Sequence, residues 1–219
     1  MGKGLINVQW DNISSLKDED ISYYLYLEGK SPEAVAIIRN ISTDTAKAHI
    51  LNGKIKYGII ARCKDIPELF KTLMASSKED KAGILNYLED ELKDELAGYI
   101  AENYADMLPK EKETAVWTLG ELKRREGYRI LARASVHKFI NIRRMAVSAM
   151  GKINDAYFEE ALMKALEDSN PQVVFYAVKA LQKLDSIRAM ERIKSLYENS
   201  DKDYLRQAAE KWLESRQGA

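Results

Sequence analysis

Four alanines, Ala115, Ala146, Ala177 and Ala208, follow one another at intervals of 31 residues. The stretches around them read as versions of one helix: Thr114-Ala-Val-Trp-Thr-Leu-Gly, Met145-Ala-Val-Ser-Ala-Met-Gly, Tyr176-Ala-Val-Lys-Ala-Leu and Gln207-Ala-Ala-Glu-Lys-Trp-Leu. Self-similarity at such a period is the signature of stacked repeats. One unit cannot bury its apolar face alone, so neighbours must share a continuous core. A chain built this way is first of all a surface for holding something.

The region from residue 77 to residue 219 reads as helix pairs. The first helix of each pair carries the alanine motif, and the second follows a short polar turn. Asn170-Pro171 predicts a helix start, since asparagine caps the first turn and proline suits it. Leu162, Ala165 and Leu166 stand at the spacing of a buried helical face. Gly120 and Gly151 sit five residues after their alanines, and small residues there let helices approach closely. Lys81 to Leu88 and Glu91 to Ala105 read as a divergent earlier pair. Asp203 to Glu214 reads as a last, unpaired helix that caps the stack.

These residues resemble the short HEAT-like repeat of the phycobilin-lyase type, whose pattern is Arg-x-x-Ala-x-x-Ala-Leu-Gly. Arg143-Arg-Met-Ala-Val-Ser-Ala-Met-Gly151 and Val174-Phe-Tyr-Ala-Val-Lys-Ala-Leu-Gln182 carry the match. The resemblance implies an all-α, right-handed α-α superhelix and leaves activity open, because that family includes lyase subunits, hydroxylases and scaffolds. Its metal-dependent hydroxylases use His-Glu pairs, which this sequence lacks.

Residues 1–60 follow another pattern. Ser15 opens a predicted helix through Ile21, Tyr24 and Leu25 that ends at Glu28-Gly29. Ser31-Pro32-Glu33 then supplies cap, first-turn proline and first-turn acid. After a short helix to Arg39, Asn40-Ile41-Ser42 makes a turn, and Ser42 caps a third helix that Asn52-Gly53 is expected to stop. Two short helices so joined form a helix-turn-helix unit. Tyr24 to Ser31, Arg39-Asn-Ile-Ser42, Thr45, His49-Ile50 and Gly53-Lys54 resemble the helix-turn-helix domain at the C-termini of RecQ-like helicases. Asn40 departs from the family's glycine, and Ala46 from its isoleucine or valine. Residues 61–76 connect this module to the repeats as an irregular basic segment with a connecting helix.

Charge and composition narrow the function. Lys+Arg and Asp+Glu number 34 each, so no global field draws the chain to nucleic acid or membrane, and any electrostatic role must come from clustering. The single cysteine, Cys63, forms no intrachain disulfide and fits a reducing, cytoplasmic setting. The N-terminus lacks the apolar stretch of a signal peptide, and Ile6 breaks the myristoylation pattern that Met1-Gly2 begins. With His49 and His137 isolated from Cys63, no metal-ligand spacing or nucleophile pair is seen, and no glycine-rich phosphate loop. The expectation is a non-enzymatic protein without cofactor.

Two basic stretches are candidates for binding. From Lys123 to Arg144 the cations are Lys123, Arg124, Arg125, Arg129, Arg133, Lys138, Arg143 and Arg144, against one acid, Glu126. Arg125, Arg129, Arg133 and His137 are four apart, which predicts one helical face. Such a face suits a phosphate backbone or an acidic protein segment; alternatively it is solvated and pairs with the acids from Glu89 to Glu95. The second stretch holds Arg39, Lys47, Lys54, Lys56, Arg62 and Lys64. There Thr43, Lys47, Lys54 and Lys56 would touch DNA or RNA, although Asp44 would repel the backbone. The readings carried forward are an anionic-partner groove, nucleic acid first, and a protein–protein scaffold with the N-terminal module as a cap. A third is a HEAT-like DNA glycosylase, against which Trp117 stands in the wrong helix of its pair. The tyrosines Tyr23, Tyr24 and Tyr26 and the aromatics Phe175 and Tyr176 are expected in the core or lining a groove.

Overall fold

The computed structural model describes residues 3–6, 8 and 10–217; Met1 and Gly2 lie outside them. The fold is all-α, an α-solenoid with no strand among the described residues. The chain forms two compact units, Met1–Leu96 and Ala97–Ala219.

In the first unit a 3₁₀ turn, Trp10–Ser15, precedes α1 (Asp18–Leu27), α2 (Pro32–Arg39), α3 (Thr43–Tyr57), α4 (Ile66–Ala75) and α5 (Lys78–Asn86), and α6 (Asp90–Asn103) begins there. Ser15 ends the 3₁₀ turn rather than opening α1, whose N-cap is Lys17 with no side-chain hydrogen bond, but the caps of α2 and α3 follow the sequence. The Ser31 hydroxyl accepts the Ala34 amide at 3.2 Å, and Ser42 accepts that of Thr45 at 3.0 Å. Asn40, at φ 53°, makes the left-handed turn between α2 and α3. Both helices pack with α1.

A further expectation fails in α3. Asn52-Gly53 does not stop α3, which continues to Tyr57. A Cβ on Gly53 would lie 2.2 Å from the Tyr23 ring, so this glycine makes room for a neighbour rather than a turn. Residues 61–76 are where the sequence places a connecting helix. They contain α4, which is capped by Asp65 accepting the Glu68 amide at 2.9 Å and buries Leu69, Phe70 and Leu73.

The second unit holds α7 (Pro109–Leu122), α8 (Tyr128–Ala134), α9 (Ile140–Ile153), α10 (Glu159–Ala165), α11 (Pro171–Lys183), α12 (Met190–Asn199) and α13 (Asp203–Gln217). The longer first helices, α7, α9, α11 and α13, pack on one another in order, and α8, α10 and α12 pack against them. Burial repeats with the sequence period. Leu119, Met150, Leu181 and Trp212 are fully enclosed, as are Leu131, Leu162 and Ile193 in the second helices. Each such side chain contributes about 1.5–3 kcal/mol.

The turn within each pair also repeats. Lys123, Asn154 and Asp185 all take a left-handed backbone, at φ 55°, 58° and 56°, and each is followed by a 3₁₀ turn: Arg125–Gly127, Ala156–Phe158 and Ile187–Ala189. The first helices come close because glycine lies between them. A Cβ on Gly120 would fall 2.6 Å from that of Ala149, and one on Gly151 2.9 Å from that of Ala180. One period later the position is Gln182, whose amide donates to the Lys211 carbonyl at 3.4 Å.

Candidate binding surface

The helical row expected from Arg125 to His137 is interrupted. Only Arg129 and Arg133 share α8, where four-residue spacing puts them on one face. Arg125 lies in the preceding 3₁₀ turn, and His137 and Lys138 lie in the loop after α8, because only seven residues separate the turn from the helix end at Ala134. Arg125, Arg129 and Arg133 are exposed, and no hydrogen bond or ion pair joins them to another described side chain. Arg133 lies near Tyr104. Burial pushes that phenol up to about 12, and the guanidinium opposes the shift.

The remaining cations of the row are more engaged. Arg143 forms a two-pronged ion pair with Asp168, Nε to Oδ2 at 2.6 Å and Nη2 to Oδ1 at 2.9 Å, with both side chains largely buried (13% and 9% exposed). Its Nη1 donates to the His137 carbonyl at 2.9 Å and to that of Lys138 at 3.3 Å. Burial would raise the Asp168 carboxyl, but the Arg143 hydrogen bonds and the Asn170 amide hold it below the usual range. Arg144 lies over the Tyr176 ring at 5.9 Å, and Lys138 over Phe139 at 5.1 Å. Arg143 is thus an internal tie between α9 and the loop before α11. Sequence reasoning missed its partner, although Asp168 is present in the loop one period after His137.

The equivalent positions one and two periods later decide how far the positive surface extends. Arg129 is followed by Glu160 and Glu191, Arg133 by Lys164 and Ser195, and Arg125 by Ala156 and Ile187. In those later repeats the arginines are ion-paired, while Lys164 stays exposed. Arg188 reaches Glu159 and Glu160 at 3.0 and 3.1 Å, and Arg192 reaches Glu167 at 3.0 Å. The row of exposed arginines is therefore one repeat long.

In the first unit most of the second basic stretch is tied down. Lys56 bonds both Asp20 oxygens at 3.0 and 3.1 Å, Arg39 pairs with Asp18 at 2.5 Å, and Lys54 sits over the Tyr26 ring at 4.5 Å. Thr43 is half-buried and Lys47 exposed. His49 is a structural link, its Nδ1 3.1 Å from the Ser22 hydroxyl. Tyr23 and Tyr24 are core residues. The solvent face of α3 runs through Asp44, Ala48, Leu51 and Ile55, all exposed; Leu51 and Ile55 are 58% and 76% accessible. That face is apolar with an acid at its start.

Trp117 is half-buried on α7, and Phe175 and Tyr176 meet edge to face at 5.8 Å on α11. Among the described residues no group of three or more His, Cys, Asp or Glu side chains could hold a metal ion, and no helix is long and apolar enough to cross a membrane.

Residues 129–214 match the family model of HEAT repeats. No curated protein matches the chain. The matched span runs from α8 into α13, so over these residues the periodic alanines and paired helices are similar to HEAT repeats, an architecture that in general binds and scaffolds.

Proposed function

We propose that the chain is a non-catalytic binding protein whose second unit holds a short acidic segment of a partner protein on Arg125, Arg129 and Arg133. The observation that carries this reading is that Arg125, Arg129 and Arg133 are exposed in one repeat, whereas Arg188 and Arg192 in the later ones are ion-paired. A nucleic-acid strand continuing along the stack would meet Glu160 and Glu191 next, whereas a short acidic peptide needs only a patch the length of α8, roughly 10 Å. The N-terminal module serves as a second protein contact. Its exposed helix face presents Leu51 and Ile55, with no Arg or Gln placed for bidentate base reading.

The test is fluorescence anisotropy with a short Glu-rich peptide and with short single- and double-stranded DNA and RNA, each across a salt series. Binding of the peptide that collapses in Arg125→Glu/Arg129→Glu/Arg133→Glu supports the proposal. Stronger binding of an oligonucleotide, with a steep salt slope lost in the same variant, would replace it with nucleic-acid recognition.

A further inference from the structure

The joint between the first two repeats lacks a group that the next joint has. In the later joint, Asp168 Oδ1 accepts the Asn170 amide at 2.8 Å, and the carboxylate receives Arg143 from α9. One period earlier, His137 stands at the place of Asp168 and Lys112 at that of Arg143. His137 keeps the turn, with Nδ1 accepting the Phe139 amide at 3.1 Å. It cannot supply the carboxylate. With Nδ1 an acceptor, the neutral ring's other nitrogen, Nε2, is a donor.

The charges acting on that ring are cations, of which Arg143 is already paired with Asp168. Lys112 Nζ donates to the Ala105 carbonyl at 2.9 Å, which leaves further N–H donors on the ammonium. Lys138 is exposed beside it, and Arg143 donates to the His137 carbonyl. Partial burial, then Lys112, Lys138 and Arg143 from α7, the loop and α9, hold the His137 ring below its ordinary pKa. Lys112, His137 and Lys138 therefore form a set of donors and cations with no acid among them, at a position where the neighbouring repeat places one.

We infer that this joint takes a carboxylate from outside, an Asp or Glu side chain of the partner, seated between Lys112 and His137 as Asp168 is seated beside Arg143. The inference rests on the proposed function for the acidic character of the partner. It adds a defined anchor to the diffuse attraction of Arg129 and Arg133. An added carboxylate there gains charge-assisted hydrogen bonds that a surface cation in water does not provide.

The experiment is calorimetric titration of the full chain with the Glu-rich peptide, comparing wild type, His137→Asp and Lys112→Gln, with thermal unfolding of each. His137→Asp fills the joint from within. It should weaken the peptide by about tenfold while folding at least as stably as wild type. Lys112→Gln should weaken it as well, without the gain in stability. Unchanged affinity in both variants, with loss only in the α8 arginine variant, overturns the anchor and leaves the proposed function standing. No peptide binding by wild type overturns both.

Discussion

The first and second repeats share a backbone plan and differ in what closes them. Their helices begin and end in register, their left-handed residues Lys123 and Asn154 correspond, and each has a glycine against the next helix. In the later repeat a buried carboxylate, Asp168, draws Arg143 inward and spends its charge on the fold. In the earlier one His137 holds only the turn, Lys112 donates to the Ala105 carbonyl and lies over the Tyr104 ring, and Arg129 and Arg133 are exposed. On one backbone plan, His137 in place of Asp168, Lys112 in place of Arg143 and Arg129 in place of Glu160 leave the earlier repeat without the carboxylate that closes the later one.

The contrast can be broken most severely at the helix contact. Gly120→Val would push side-chain atoms into Ala149 and cost about 3 kcal/mol, with Gly151→Val costing less because its gap is wider; thermal unfolding of the two variants would show the order. Asp168→Ala would strip the later repeat of its tie and leave Arg143 enclosed without a carboxylate. A loss of about 2 kcal/mol, read as a fall of several degrees in Tm, is the expected result. His137→Asp converts the earlier repeat to the later plan and should add about 1 kcal/mol by pairing with Lys112; a fall in Tm would mean that the two joints are not equivalent.

A pH series sharpens the same comparison. The native pKa of His137 lies below its unfolded value of 6.5, so the neutral ring's contribution is complete above that pH and is lost as pH falls through the native value. Wild type should lose stability below 6.5 relative to His137→Gln, with the difference vanishing at neutral pH. The smallest expected effect is on folding by Arg129→Glu, within about 0.5 kcal/mol by denaturant titration, even though this change should abolish much of the peptide affinity.

The stack itself was legible because its cause is local and repeated. Alanines at one interval can only mean one helix packed many times, and the glycines that follow them mark the close approach. The four-residue spacing of Arg125, Arg129, Arg133 and His137 misled for a related reason. Periodicity assumes an unbroken helix, and the second helices here are single short pieces preceded by a 3₁₀ turn. Gly53 misled because a glycine reads as a stop when the neighbour that requires it, Tyr23, lies thirty positions earlier and on another helix. The Arg143–Asp168 tie needed the repeats to be aligned residue by residue, when Lys112 with His137 and Arg143 with Asp168 fall into the same two columns. The apolar face of α3 was hidden by the basic residues interleaved with it in sequence, several of which turn back onto α1.

The Gly120–Ala149 and Gly151–Ala180 approaches also set how the chain reaches its folded state. They join segments only one period apart, so assembly needs few long loops to close and can spread from any formed pair. Because α9 is held on both sides, and by Arg143 as well, α9 and α11 should form the slowest-exchanging amides of the second unit. Opening would begin at α8 and its flanking turns, the segment that carries Arg125, Arg129 and Arg133.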